Sequence, residues 1–120
     1  MAERRQLRPE HRLRRPAEFA AVMASPRRLR GKRFELRFRG NDGSSARLGL
    51  IIPKRLARRA VLRNLLKRLI REAFRNVRAN LSANDLVFRL TGAPLVEPVD
   101  RLQRAAWRAE IDTLMAALPR

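Results

Sequence analysis

No cysteine occurs in these 120 residues, and there is a single histidine. Disulfides and cysteine-based zinc sites are therefore excluded. Carboxylates are scarce: 11 Asp and Glu stand against 29 Lys and Arg, a formal net charge of +18. Such a surface repels itself unless something neutralises it, and the usual neutraliser is a phosphate backbone. The uncharged apolar runs, residues 48–53 among the longest, are far too short to span a bilayer. The N-terminus is basic but lacks the apolar core of a secretory signal. These absences lead us to expect a cytoplasmic protein with no membrane partner. No phosphate-cradling glycine loop, dinucleotide fingerprint or zinc-protease motif appears. His11 has no nucleophile or ligand companion at a meaningful spacing and is expected to be solvated. Asp100, Glu110 and Asp112 share a helix but not one face. The residues alone predict no catalytic side chain and no metal site.

What is present is concentrated charge. From Lys54 to Arg78 there are ten Lys or Arg residues and one acid, Glu72. At helical periodicity, Leu62, Leu65, Leu66, Leu69, Ile70, Ala73 and Val77 fall on one arc. Arg63, Lys67, Arg68, Arg71, Arg75 and Arg78 fall on the other, with Asn64 among them. The pattern predicts an amphipathic helix from about Arg58 to Ala79, one arc against a core and the other a row of cations. Ordinary solvated helix faces mix signs, because opposite charges at i,i+4 help the helix. Here like charges recur at that spacing, which points to a polyanion outside the helix. A membrane-surface helix would need its apolar arc for lipid, and here the core claims that arc.

Around this helix the chain reads as one domain. Residues 1–15 hold six arginines and two glutamates and read as a flexible basic arm; the domain proper is expected over 16–118. A short helix opens at Pro16, carries Phe19, Val22 and Met23 on one stripe and stops at Ser25-Pro26. Residues 33–39 alternate as a half-buried strand, with a possible short strand near 28–31. Residues 47–52 are apolar on both faces after Arg47 and predict a central strand ended by Pro53. Residues 86–90 form another strand. A last helix opens at Pro98, with Asp100 near its positive end and Trp107, Ile111, Leu114 and Leu118 inward. Strand, long helix, strand implies a crossover and a parallel pair. The class is α+β with a single sheet. Phe19, Val22 and Met23 are most simply core, with base stacking the functional alternative. Phe74 is expected under the sheet.

Lys54-Arg55, Ala60-Val61, Arg63-Asn64, Lys67-Arg68 and Arg71-Glu72 resemble the signature of the bacterial ribonuclease P protein family. Arg47-Leu48-Gly49-Leu50 before them fits as well. So do Ala73-Phe74-Arg75, the Leu86-Val87-Phe88 strand and the opening Arg12-Leu13-Arg14-Arg15 with Phe19. The resemblance covers roughly residues 12–118. It implies about four strands packed by three helices, with a left-handed crossover through the basic helix. It also implies an accessory role in an endoribonuclease that removes the 5′ leader of precursor tRNA and leaves a 5′-phosphate. Catalysis would belong to the ribonuclease P RNA, with Mg2+ held on that RNA and no obligate protein partner. By position, Lys54, Arg55, Arg58, Arg59, Arg63, Asn64, Lys67, Arg68, Arg71 and Arg75 would face RNA. Phe19, Met23 and Arg37 would line a cleft for the leader. Leu65 replaces the third residue of the family's Arg-Asn-Arg core, and Met23 and Arg37 stand where aromatics occur in relatives. The rival class is a structural RNA-binding protein such as a ribosomal component.

Overall fold

Alternation decides which way each strand faces. On β2 (Phe34–Gly40), Phe34, Leu36 and Phe38 are buried in the main core, while Glu35 and Arg37 point to the opposite face. The structure, a computed structural model, describes residues 9–43 and 45–120. In chain order the other elements are α1 (Pro16–Met23), β1 (Arg28–Arg30), β3 (Arg47–Ile51), α2 (Ala60–Val77), β4 (Asn84–Leu90) and α3 (Arg101–Ala116). The sheet order is β1-β2-β4-β3. The β1–β2 and β2–β4 pairs are antiparallel, and β3 runs parallel to β4. The mixed four-stranded sheet with three helices is the α+β class expected, and the parallel pair flanks α2 as the crossover requires.

One face of the sheet carries the main core. Leu66, Ile70 and Phe74 of α2 and Ile111 and Met115 of α3 are sealed against Leu36, Leu86 and Phe88. Phe34 and Phe88 meet edge to face with ring centroids 5.5 Å apart. The Glu110 carboxylate accepts the backbone N–H of Arg33 and of Phe34, each at 2.8 Å, and so ties α3 to the start of β2. The other face is smaller. Leu13, Val22 and Val87 are buried there, with Phe19, Met23 and Ile51 packed around them.

Four expectations are corrected. First, β3 is an edge strand and β4 is central. Apolar residues on both faces of β3 reflect cover by α2 on one side and α1 on the other, not strands on both edges. Second, packing begins before residue 16. A 3-10 turn spans Pro9–His11, Arg12 bridges to Leu48, and the Leu13 N–H donates to the Leu48 carbonyl at 3.0 Å. The remainder of the expected arm, residues 1–8, lies outside the described residues. Third, His11 is buried rather than solvated, its Nε2 3.3 Å from the Arg78 guanidinium. Fourth, the last helix opens after Pro98: Asp100 is its N-cap, accepting the Gln103 N–H at 2.8 Å while the Gln103 side chain answers the Asp100 N–H.

α1 is held over the sheet by a short ionic chain. The Glu18 carboxylate accepts the N–H of Arg14 and Arg15 at 2.9 and 3.0 Å and pairs with Arg47 at 2.9 Å. Arg47 in turn makes a bidentate pair with Asp85 at 2.7 and 2.8 Å. The Arg15 and Arg14 backbone donors, with Arg47, lower the Glu18 pKa from 4.5 to about 2. A depressed carboxylate contributes stability that is present above its unfolded value and fades as pH falls toward its folded value. Urea midpoints of the parent and Glu18→Gln are therefore expected to differ at pH 7 and to converge between about pH 4.5 and 2. A gap that stays constant across that window would refute the assigned contact.

Candidate nucleic-acid interface

α2 separates its residues as the periodicity requires. Leu62, Leu66, Ile70, Ala73 and Phe74 are buried, while Arg58, Arg59, Asn64 and Arg68 are exposed, as are Lys54 and Arg55 in the preceding turn. Arg63, Lys67, Arg71 and Arg75 are half-buried. Among the described residues, none of the basic side chains from Lys54 to Arg78 forms an ion pair with a carboxylate. The one acid in the stretch, Glu72, is turned toward α3 and pairs with Arg108 at 3.0 Å. Burial first, then the neighbouring Arg12 and Arg75 charges, push the Arg71 guanidinium below its ordinary pKa. The row therefore repels itself, and an anion laid along it would relieve that repulsion.

Arg63 departs from the simple picture. Its guanidinium donates to the carbonyls of Ala57 and Arg58 at 2.9 and 2.7 Å. It thereby staples the turn that carries Lys54, Arg55 and Arg58 onto the first turn of the helix. Part of its role is to position that turn.

A cavity of about 170 Å³ opens where α1, β3 and α2 meet, lined by Arg12, Leu13, Phe19, Leu48, Gly49, Leu50, Lys67 and Arg71. It joins an aromatic ring and apolar walls to three cations. The ring lies directly over Gly49: a Cβ there would fall 2.5 Å from Phe19 Cε2 and 3.1 Å from Leu13 Cδ1. Gly49→Ala is thus expected to displace the ring and cost about 1–3 kcal/mol of stability through overpacking. In a Phe19→Ala background most of that cost should vanish, which a double-mutant cycle in urea reads directly. Additive losses would show that the ring does not rest on Gly49. A larger hollow, about 690 Å³, lies beside Arg39 and Asn41. Its lining mixes Glu10, Asp42 and Asp85 with Arg39 and Arg47, so its charge does not favour a polyanion.

The three residues expected in one cleft are divided. Phe19 lies with Lys67 and Arg71 in the small cavity. Met23 packs half-buried in the second core. Arg37 is committed: it donates to the carbonyls of Met23 and Ser25 at 3.0 and 3.1 Å and to Glu35 at 3.1 Å. It fastens the end of α1 to the sheet and is not a free charge for a passing strand. Arg12, Leu13 and Gly49 escape a reading of the sequence, because their place in the cavity depends on the pairing of residues 12–13 with β3.

The Ribonuclease P family model matches residues 7–117. The chain belongs to the ribonuclease P protein family. It is similar to the ribonuclease P protein component of Azoarcus sp. strain BH72, 44% identical over 109 residues, which are 91% of this chain and 87% of that protein. It is similar also to the component from Bordetella petrii, 44% identical over 113 residues, 90% and 91% of the two chains. Among solved structures, the RNase P protein of Thermotoga maritima superposes with a TM-score of 0.73 at 26% identity, covering 91% of this chain and 98% of that one. The sequence resemblance therefore holds, and the ribosomal alternative is not favoured. This ribonuclease P protein is a subunit of an endoribonuclease complex. Leu65, the departure from the Arg-Asn-Arg core, is half-buried against the main core, so no cation replaces it at that point of the helix.

Proposed function

We propose that this chain assists a catalytic ribonuclease P RNA in removing the 5′ leader of precursor tRNA, in the cytoplasm, by binding that RNA along α2 and the leader beside Phe19. The carrying observation is the cationic row of α2, which pairs with no carboxylate among the described residues and is continuous with a cavity that adds a stacking ring to Lys67 and Arg71. Phosphate contacts give affinity and register without reading sequence. A subunit that serves many leaders needs that kind of contact, together with general stacking.

Hydrolysis is left to the RNA and to magnesium ions bound there. Three of the carboxylates are held by arginines: Glu18 and Asp85 by Arg47, and Glu35 by four of them. Among the described residues, no cluster of three His, Cys, Asp or Glu side chains could hold an ion. Nor is any helix among them long and apolar enough to cross a membrane.

Purified RNA-free protein, incubated with precursor tRNA and magnesium, is expected to release no leader. Site-specific cleavage by the protein alone would contradict the division of labour. RNA binding should also weaken steeply with salt. If about six phosphates are neutralised, log affinity should fall with log salt at a slope near −4 to −5. Affinity that held level as salt rose severalfold would be inconsistent with a phosphate-dominated interface.

A further inference from the structure

The apolar arc of α2 is wider than the core beneath it. Val61 and Leu65 stand one turn apart at its edge; Val61 is 81% exposed and Leu65 only half-buried. Beside them runs the segment between β4 and α3. It is pinned by the Leu95 N–H, which donates to the Leu56 carbonyl at 2.8 Å, and by the Asp100 cap of α3. An open groove of about 450 Å³ lies between the two. Its apolar lining is Leu62, Leu65 and Val99 with the exposed Val61 and Pro98. Its charged lining is Arg59 and Arg104 against Glu97, all three exposed and none in an ion pair among the described residues.

Exposed apolar surface bordered by polar side chains marks a place where another molecule docks, and charge decides which kind. Arg59 is the N-cap of α2 but provides no side-chain cap, and the helix has no acid in its first turn. The positive end of the helix dipole therefore adds to the two guanidinium groups. Arg101, one turn before Arg104 on α3, is exposed as well. The groove thus favours an anionic occupant. Nucleic acid makes poor use of its apolar part: the lining has no aromatic ring on which a base could stack, and Glu97 repels a phosphate. A second copy of the chain brings +18 of its own charge. Its Glu18, Glu35, Glu72, Asp85 and Asp112 are already held by arginines. What matches is a protein segment that joins carboxylates to aliphatic side chains, as in helices that lay an apolar stripe into a groove.

We propose that the groove between the first turns of α2 and α3 docks an acidic amphipathic helix of a partner protein. The aliphatic stripe of that helix covers Val61, Leu65 and Val99, and its carboxylates meet Arg59 and Arg104. The contact is small and held partly by exposed ion pairs, so it is transient and weakens with salt. It leaves Arg68 and Arg75, further along α2, to RNA. The subunit can therefore hold its RNA and this partner together.

The probe is a labelled peptide of four Glu-Leu-Leu-Glu repeats. It is titrated by fluorescence anisotropy into the full chain, both free and saturated with a bacterial ribonuclease P RNA. Binding is expected in both states. A peptide with every leucine changed to serine keeps the charge and is expected to bind at least about tenfold more weakly. Val61→Ser should weaken the leucine peptide about fivefold to tenfold. Arg104→Ala should weaken it about twofold to fivefold and make its salt dependence shallower. Both side chains are exposed, so circular dichroism and RNA affinity should match the parent in each variant. Equal affinity for the leucine and serine peptides, or for the parent and both variants, would reduce the binding to bulk attraction by a basic chain and overturn the proposal. Loss of peptide binding on saturation with RNA would assign the groove to the RNA interface instead. A dimer of the parent chain that Val61→Ser dissociates, read by sedimentation, would assign it to a second copy.

Discussion

Arg68→Glu combined with Arg75→Glu is expected to weaken binding to a ribonuclease P RNA by at least about a hundredfold, or ~3 kcal/mol, with the fold intact. Both side chains lie on the cationic face of α2 and neither pairs with a carboxylate among the described residues. Reversal removes two charge-assisted phosphate contacts and replaces each with a repulsion. It should not cost stability, because the row it interrupts repels itself. The parent and the double variant are expected to melt within a few degrees of each other. Ile70→Asp, on the same helix, provides the contrast. Ile70 is fully buried, and a charge there has no partner, so the domain should lose its cooperative unfolding transition. Filter binding with circular dichroism separates the two outcomes. Parent-like RNA affinity in the double variant would show that this face does not meet RNA.

Phe19→Ala is expected to lower holoenzyme affinity for precursor tRNA by about fivefold to a hundredfold, the range of one base–aromatic stack at roughly 1–3 kcal/mol. Mature tRNA, which lacks the leader, should bind as before. The ring is only half-buried, and its cavity carries Arg12, Lys67 and Arg71, so a base stacked there would keep its phosphate near positive charge. Phe19 also packs on the second core, and its removal will cost some stability. The difference between the two RNAs is therefore the deciding quantity. Equal losses for precursor and mature tRNA would assign Phe19 to packing alone.

The features legible in the sequence are those set by local periodicity. The two arcs of α2, the alternation of β2 and the inward stripe of α3 each follow from spacing, and the structure has them where expected. What was not legible depends on partners distant in the chain. β3 reads as central because helices, rather than strands, cover its two faces. Residues 9–15 read as a loose arm because their charges conceal Leu13 and His11, whose burial requires β3 and Arg78. Arg37 reads as a free cation, yet its acceptors are carbonyls at the end of α1. Glu35 looks like one solvated position in an alternating strand. Its four arginines gather only through the registers of β1 with β2 and β2 with β4. Gly49 gives no sequence signal of its own, and its need for hydrogen in place of Cβ appears only with the Phe19 ring above it.

The central claim is that this basic subunit enables an RNA to cleave precursor tRNA. Its most direct test is single-turnover cleavage by a bacterial ribonuclease P RNA at a magnesium concentration too low for the RNA alone, with and without the protein. The expected result is leader release at the mature 5′ end only when protein and RNA are combined, lost again in Arg68→Glu/Arg75→Glu. Cleavage that the protein fails to stimulate, while it binds the RNA at full stoichiometry, would contradict the claim.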